Sequence, residues 1–185
     1  MIVVLLACRA DRPVPIHPGL DAVRAAVVDE DPVALGVALE PFLAPATGVR
    51  EPAGSAWVAL GRVAGELRAA TVRSERSTGY ARLVVTCAAC HAGQPPPARE
   101  ITGHGPALQA LDDAVVYGSP ERYEAAIAGI ASSPSLTGSQ ERFLELARRV
   151  ESLPEPPEKA WFLAKLYGEC IRCHGPSSPL KLRRP

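Results

Sequence analysis

Apolar residues recur along this chain at the three- and four-residue spacing that buries one face of an α-helix. Two such stripes match each other, namely Trp57, Leu60, Ala64 and Leu67 in the first half and Phe143, Leu146, Val150 and Leu153 in the second. Two more run into the cysteine-containing segments, with Tyr80, Leu83 and Val84 in one and Leu163, Leu166 and Tyr167 in the other. Signals for β-hairpins are lacking. The pattern therefore predicts an all-α fold.

The two halves also resemble each other at the points where helices begin. The segment 26–32 matches 114–120, and in each a polar residue, Asp31 or Ser119, precedes a proline. A polar N-cap followed by proline in the first turn is a common helix start, so a helix break is expected at both places. Two further caps are expected just before the apolar stripes, at Gly54–Ser55 and Gly138–Ser139.

These correspondences predict a tandem repeat of two units, each with about four helices. The proline-rich stretch 94–97 joins the units, and Pro154–Pro157 separates the last two helices of the second unit. We assign residues 1–8 to an N-terminal signal segment, 9–97 to the first unit and 98–185 to the second.

The composition favours a folded protein, since 47% of the 185 residues are hydrophobic and 22% are charged. The 20 basic and 20 acidic side chains cancel, and the basic ones are scattered, so no nucleic-acid partner is expected. No phosphate-binding loop, nucleophile elbow or pair of clustered carboxylates indicates an enzyme. Asp29–Asp31 and Asp112–Asp113 are interpreted as solvated helix ends.

Four of the five cysteines lie in two copies of a C-x-x-C-H motif, Cys87-Ala-Ala-Cys90-His91 and Cys170-Ile-Arg-Cys173-His174. Thiols three positions apart on one helical turn can form thioethers with the two vinyl groups of a haem, and the following histidine can reach the iron. The motifs therefore predict two covalently attached haem c groups, with His91 and His174 as proximal iron ligands. A zinc site with four cysteines and a redox-active dithiol are the alternatives.

The position of the motif on the last helix of each unit resembles the four-helix-bundle cytochromes of the cytochrome c prime group. Class I cytochromes c, in contrast, place the motif near the domain N-terminus and use a distant methionine ligand, and the only methionine here is Met1. The resemblance covers the six motif residues and the helical layout. Because Tyr80, Trp57, Trp161 and Tyr167 lie near the motifs or on core stripes, we expect them to pack against porphyrin rather than relay electrons.

The remaining two histidines, His17 and His104, occupy nearly equivalent positions in the two units. In low-spin relatives of the bundle class the distal ligand comes from the start of the first helix, which implies that role for both residues. We expect His17 to face the first haem and His104 the second, although exchange between the units is open. As alternatives, His17 is a solvated tail residue, and His104, between Gly103 and Gly105, belongs to a loop.

The segment Leu5-Leu6-Ala7-Cys8 resembles a bacterial lipobox, whose cysteine becomes lipidated after export. It lacks a positively charged region before the apolar stretch, so an apolar strand or turn with an inert Cys8 is the alternative. Covalent haem attachment in bacteria also takes place outside the cytoplasmic membrane. We therefore expect a periplasmic or cell-envelope protein that contacts the membrane only through a lipid anchor.

These expectations together describe a dihaem c-type cytochrome that carries electrons between redox partner proteins. Two histidine ligands close the iron to small molecules and keep its coordination unchanged on reduction. The alternative is a gas-binding or sensing cytochrome with an open distal site.

Overall fold

The structure, a computed structural model, describes residues 19–44, 53–97, 100–136 and 138–175. These residues form eight α-helices and one 3₁₀ turn, and no strand lies among them, which confirms the all-α prediction. The helices are α1 (Gly19–Val28), α2 (Pro32–Leu43), α3 (Ala53–Ala69), α4 (Arg73–His91), α5 (His104–Tyr117), α6 (Pro120–Ala131), α7 (Gln140–Ser152) and α8 (Pro156–His174), with the 3₁₀ turn at Pro134–Leu136. Within the described ranges, no helix is both long enough and apolar enough to cross a membrane.

The two predicted N-caps form as expected. Asp31 accepts hydrogen bonds from the backbone N–H groups of Val33 at 3.0 Å and Ala34 at 2.9 Å, and Pro32 opens α2. Ser119 accepts a hydrogen bond from the N–H of Arg122 at 3.3 Å and precedes α6 in the same way. Both side chains satisfy donors that the first helical turn leaves without a backbone partner.

Of the two other predicted caps, one differs from the structure. Helix α3 begins at Ala53, so Gly54 and Ser55 lie inside its first turn and the cap predicted there is wrong. Ser139 stands at the N-cap of α7, but its side chain makes no capping hydrogen bond. The proline boundary is confirmed, since α7 ends at Ser152 and α8 begins at Pro156.

Helices α4 and α8 form the most extensive helix pair and lie at the centre of the molecule. Around them, α1 packs on α2, α2 on α3 and α3 on α4, and the same order recurs from α5 to α8. Helix α5 also contacts α4, and α1 contacts both α4 and α8. The apolar stripes of α3 and α7 face this centre, with Ala64, Leu67, Phe143, Leu146 and Val150 all buried. One core therefore extends across both halves.

The start of α5 is held in place by a close approach to α6 at Gly129. A Cβ atom built at Gly129 would lie 2.8 Å from the Cβ of Ala107 and 2.7 Å from Cγ2 of Ile101. No side chain fits at this distance, so glycine at position 129 lets the backbone of α6 lie directly against the side chain of Ala107 on α5. This contact positions the first turn of α5, which begins with His104.

Candidate functional site

Both C-x-x-C-H motifs lie at the C-terminal ends of the two central helices. Cys87 and Cys90 occupy the last turns of α4, which ends at His91, and Cys170 and Cys173 occupy those of α8, which ends at His174. Residues three and four positions apart lie on the same side of a helix, so each motif presents its two thiols and its imidazole to one side. The two motifs are thereby equivalent in local structure.

A cavity of about 580 Å³ opens at the second motif. Its wall includes Cys170, Cys173 and His174 from α8, together with His104 and Leu108 from α5. Helix α1 of the first half contributes further wall residues, namely Arg24, Ala25 and Val28. The site at the second motif is therefore built from both halves of the chain.

His104 stacks against His174 in the wall of this cavity. Their ring centroids lie 5.8 Å apart and their ring planes are inclined by 29°. His104 is the first residue of α5, so the alternative that it belongs to a loop is wrong. Burial lowers the pKa of His104, and the nearby His174 lowers it further. A lowered pKa favours the neutral imidazole, which is the form that binds metals.

A serine pair orients the His104 ring. The Nδ1 atom of His104 lies 2.7 Å from Oγ of Ser135, which in turn lies 2.9 Å from Oγ of the buried Ser133. With Nδ1 engaged by a hydroxyl, Nε2 is the nitrogen that remains for another partner. Neither serine was predicted from the sequence. The available signal was a Ser-Pro-Ser turn in the loop after α6.

The first motif has different surroundings. The ring of His91 packs edge-on against Tyr117 at the end of α5, with ring centroids 5.7 Å apart. Burial lowers the pKa of His91, and a hydrogen bond with Gln94 opposes this effect. Gln94 Nε2 also donates a hydrogen bond to the backbone oxygen of Cys90 at 3.0 Å. The predicted distal partner of this motif, His17, lies outside the described residues, as does Cys8.

The thiols of the two leading cysteines have little thiolate character. Burial raises the pKa of Cys87 to about 12, and the pKa of Cys170 rises further for the same main reason. Redox-active dithiols have the opposite property, because the attacking thiol needs a lowered pKa. The environment of both motifs therefore does not suit a thioredoxin-like dithiol.

The interpretation of Asp112–Asp113 as a solvated helix end is wrong. Both residues lie within α5 and are buried, with exposed fractions of 3% and 2%. The two oxygens of Asp112 each accept a hydrogen bond at 2.7 Å, one from the hydroxyl of Tyr80 on α4 and one from that of Tyr167 on α8. Arg24 of α1 lies 3.7 Å from the same carboxylate. Asp29 and Asp31 are exposed, as expected.

The Asp112 cluster, defined as Asp112, Tyr80, Tyr167 and Arg24, joins one side chain from each of the four helices that meet at the centre. The tyrosine rings contact each other edge to face, with centroids 4.7 Å apart. Burial raises the pKa of Asp112 to about 6, although Arg24 and the two tyrosine hydrogen bonds oppose the shift. A buried carboxylate with three polar partners satisfies the requirement that buried charge be paired.

Comparison with known protein families, with curated proteins and with solved structures finds no match for this chain. In the described part of the structure, no group of three or more His, Cys, Asp or Glu side chains is arranged to hold a metal ion directly. A structural zinc site normally has four such ligands.

Proposed function

We propose that this protein is an exported dihaem c-type cytochrome that carries electrons between redox partner proteins. The observation that carries the proposal is the arrangement at the second motif, where the cysteines and histidine of a C-x-x-C-H sequence line one cavity together with a second histidine. Bound haem c would supply a reversible one-electron iron couple. The chain would attach it through Cys87 and Cys90 in one half and through Cys170 and Cys173 in the other.

The residues at the second motif fit such a group in size and spacing. The cavity volume of about 580 Å³ lies within the range of roughly 300–1,000 Å³ that small-molecule and cofactor sites occupy. The rings of His104 and His174 have centroids 5.8 Å apart and both line this cavity, so these are the two imidazoles that would hold the iron there. The hydrogen bond to Ser135 leaves Nε2 of His104 for the iron.

Two axial histidines favour electron transfer over gas binding. A distal imidazole occupies the position that a gas or peroxide would need, and it spares the iron a change of ligand on reduction. The presence of His104 beside His174 in the same cavity therefore supports the electron carrier over the gas-binding alternative at the second site. For the first site, His17 stays a prediction as the distal ligand. Cys8 stays a prediction as the lipid anchor of a periplasmic or cell-envelope protein.

We also propose that the halves are tandem repeats of one haem-binding unit. Helices α4 and α8 both contain 19 residues and end at the histidine of a motif. Helices α2 and α6 both contain 12 residues and start with an N-cap followed by proline. The order of packing from α1 to α4 recurs from α5 to α8. These features support duplication, with boundaries near the proline-rich link at 94–97.

Replacing each distal candidate by alanine tests the ligation. In electron paramagnetic resonance spectra of the oxidised holoprotein, we expect His104→Ala to convert one of two low-spin signals to high spin. His17→Ala is expected to convert the other. The double variant is expected to bind carbon monoxide rapidly at both irons after reduction. A colourless wild-type preparation contradicts the cytochrome proposal, and low-spin spectra unchanged in both variants contradict histidine ligation while leaving haem attachment in place.

Ser135→Ala is expected to weaken the distal ligand without removing it. Loss of a hydrogen bond to the outer nitrogen of a ligating histidine typically lowers metal affinity about 10- to 100-fold. Stopped-flow measurement of carbon monoxide binding to the reduced protein should show faster binding at one haem only. Ser135→Thr keeps the hydroxyl and should bind at the wild-type rate. Equal rates in Ser135→Ala and wild type would exclude the orienting role.

A further inference from the structure

The Asp112 cluster joins the two helices that end in the motifs. Tyr80 precedes Cys87 by about two helical turns on α4, and Tyr167 precedes Cys170 by about one turn on α8. Asp112 holds both hydroxyls at 2.7 Å and belongs to α5, the helix that begins with His104. One carboxylate is thereby linked by hydrogen bonds to both helices that end in a C-x-x-C-H motif.

The negative charge of this carboxylate acts on a cysteine in each motif. The pKa of Cys87 and of Cys170 is raised first by burial, then by the second cysteine of the pair, and then by the negative charge of Asp112. The medium around the cluster is apolar, since Tyr80 and Tyr167 are fully buried and Asp112 nearly so. Charges interact more strongly in such a medium than in water. A charge added at either motif should therefore act on Asp112.

Resting on the proposed function, we infer that Asp112 is a proton-binding site shared by the two haem sites. When a redox partner delivers one electron to either iron, one proton from solvent binds to the carboxylate of Asp112 and forms an O–H bond. When the electron leaves to the next partner, that bond breaks and the proton returns to solvent. Electron transfer by this chain is thereby coupled to proton transfer.

The tyrosines, the arginine and the cysteines around Asp112 do not take the proton in its place. Among the described residues, Asp112 interacts electrostatically with these charged or titratable groups: Arg24, Tyr80, Cys87, Asp113, Tyr123, Tyr167 and Cys170. Burial raises the pKa of Tyr80 and Tyr167 well above its usual value, so both stay protonated. Arginine stays charged throughout, and the cysteines become thioethers on haem attachment.

The pKa of Asp112 is close enough to neutral pH for one added charge to change the protonation state of its carboxylate. Burial brings it to about 6, whereas an ordinary aspartate near 4 would stay ionised on both sides of the reaction. An added electron nearby raises this pKa further, so the reduced protein binds more protons than the oxidised protein. The reduction potentials should therefore fall as the pH rises above about 6, and level off once the pH exceeds the pKa of the reduced state.

Spectroelectrochemical titration of the dihaem holoprotein between about pH 5 and pH 8 tests this coupling. We expect the potentials of wild type to fall by up to about 59 mV for each tenfold drop in proton concentration. Asp112→Asn should abolish this dependence. Tyr167→Phe removes a donor that lowers the pKa of Asp112, so the sloping region should move to higher pH. Tyr123→Phe is the matched control and should keep the wild-type profile.

A second measurement does not depend on any variant. Infrared difference spectra of wild type on reduction at about pH 7 should show the carbonyl band of a newly protonated carboxylic acid. Potentials independent of pH in wild type, or an unchanged slope in Asp112→Asn, would overturn the proton-coupling proposal and leave the cytochrome in place. A preparation without haem would instead overturn the proposed function.

Discussion

Replacing Cys87 and Cys90 by alanine is expected to halve the haem that stays bound to the chain after denaturation. Replacing Cys170 and Cys173 should have the same effect, and replacing all four cysteines should remove every covalently bound haem. The reason is chemical, since each thioether needs a thiol and neither motif can attach the haem of the other. Absorbance of the alkaline pyridine complex gives the number of haems per chain, and in-gel haem staining shows whether they are covalent.

The control for this experiment separates attachment from ligation. His104→Ala leaves all four thiols in place, so it should keep two covalent haems while changing the spin state of one. If either cysteine pair is replaced and the chain still retains two haems, the assignment of that motif is incorrect. If all variants and wild type lack haem, the cytochrome proposal is incorrect, and a zinc or dithiol protein is the interpretation to test next.

Asp112→Ala is expected to lower the free energy of unfolding by about 3–5 kcal/mol, because it removes one partner of a buried charge pair. Two buried tyrosine hydroxyls lose their acceptor, and Arg24 loses a carboxylate that lies 3.7 Å away. This is a large share of the roughly 5–15 kcal/mol that holds a typical domain folded. Thermal unfolding followed by circular dichroism should show a midpoint lower by roughly 10 °C.

A series of Tyr→Phe variants provides the matched control. Tyr80→Phe and Tyr167→Phe each delete a hydroxyl that donates to the carboxylate, and each should cost about 1.5–3 kcal/mol. Tyr123 is also buried, but its hydroxyl has no hydrogen-bond partner in the described part of the structure. Tyr123→Phe should therefore leave the stability unchanged or raise it slightly. Equal losses in all three variants would show that the hydrogen bonds to Asp112 do not stabilise the fold.

The helical fold was predictable because its signals are local. Asp31 and Ser119 each satisfy backbone donors two or three residues away, and each is followed by a proline that fixes the first turn. The apolar stripe of α7 likewise needs only the period of one helix. Gly54–Ser55 failed as a cap because α3 begins at Ala53, four residues before the first residue of its apolar stripe.

The centre of the molecule was not predictable from the same signals. Asp112 looked like a solvated position because two adjacent aspartates are usually exposed. Its partners, Tyr80 and Tyr167, are on other helices and far away in the sequence, so only the packing of α4, α5 and α8 brings them together. A signal was present nevertheless. Leu108 and Val116, one turn before and after Asp112, place it on the buried face of α5.

The burial of Cys170 sets the order in which the protein can mature. Its side chain is only 4% exposed beneath α1, α5 and α7, whereas Cys87 of the first motif is partly exposed. A ligase needs access to a thiol, so under the proposed function the second haem must be attached before α8 packs into the bundle. Export in an unfolded state would supply that interval. In a chain that folds first, the thiol of Cys170 would be reached only through the cavity at the second motif, and we expect such a chain to mature with one haem instead of two.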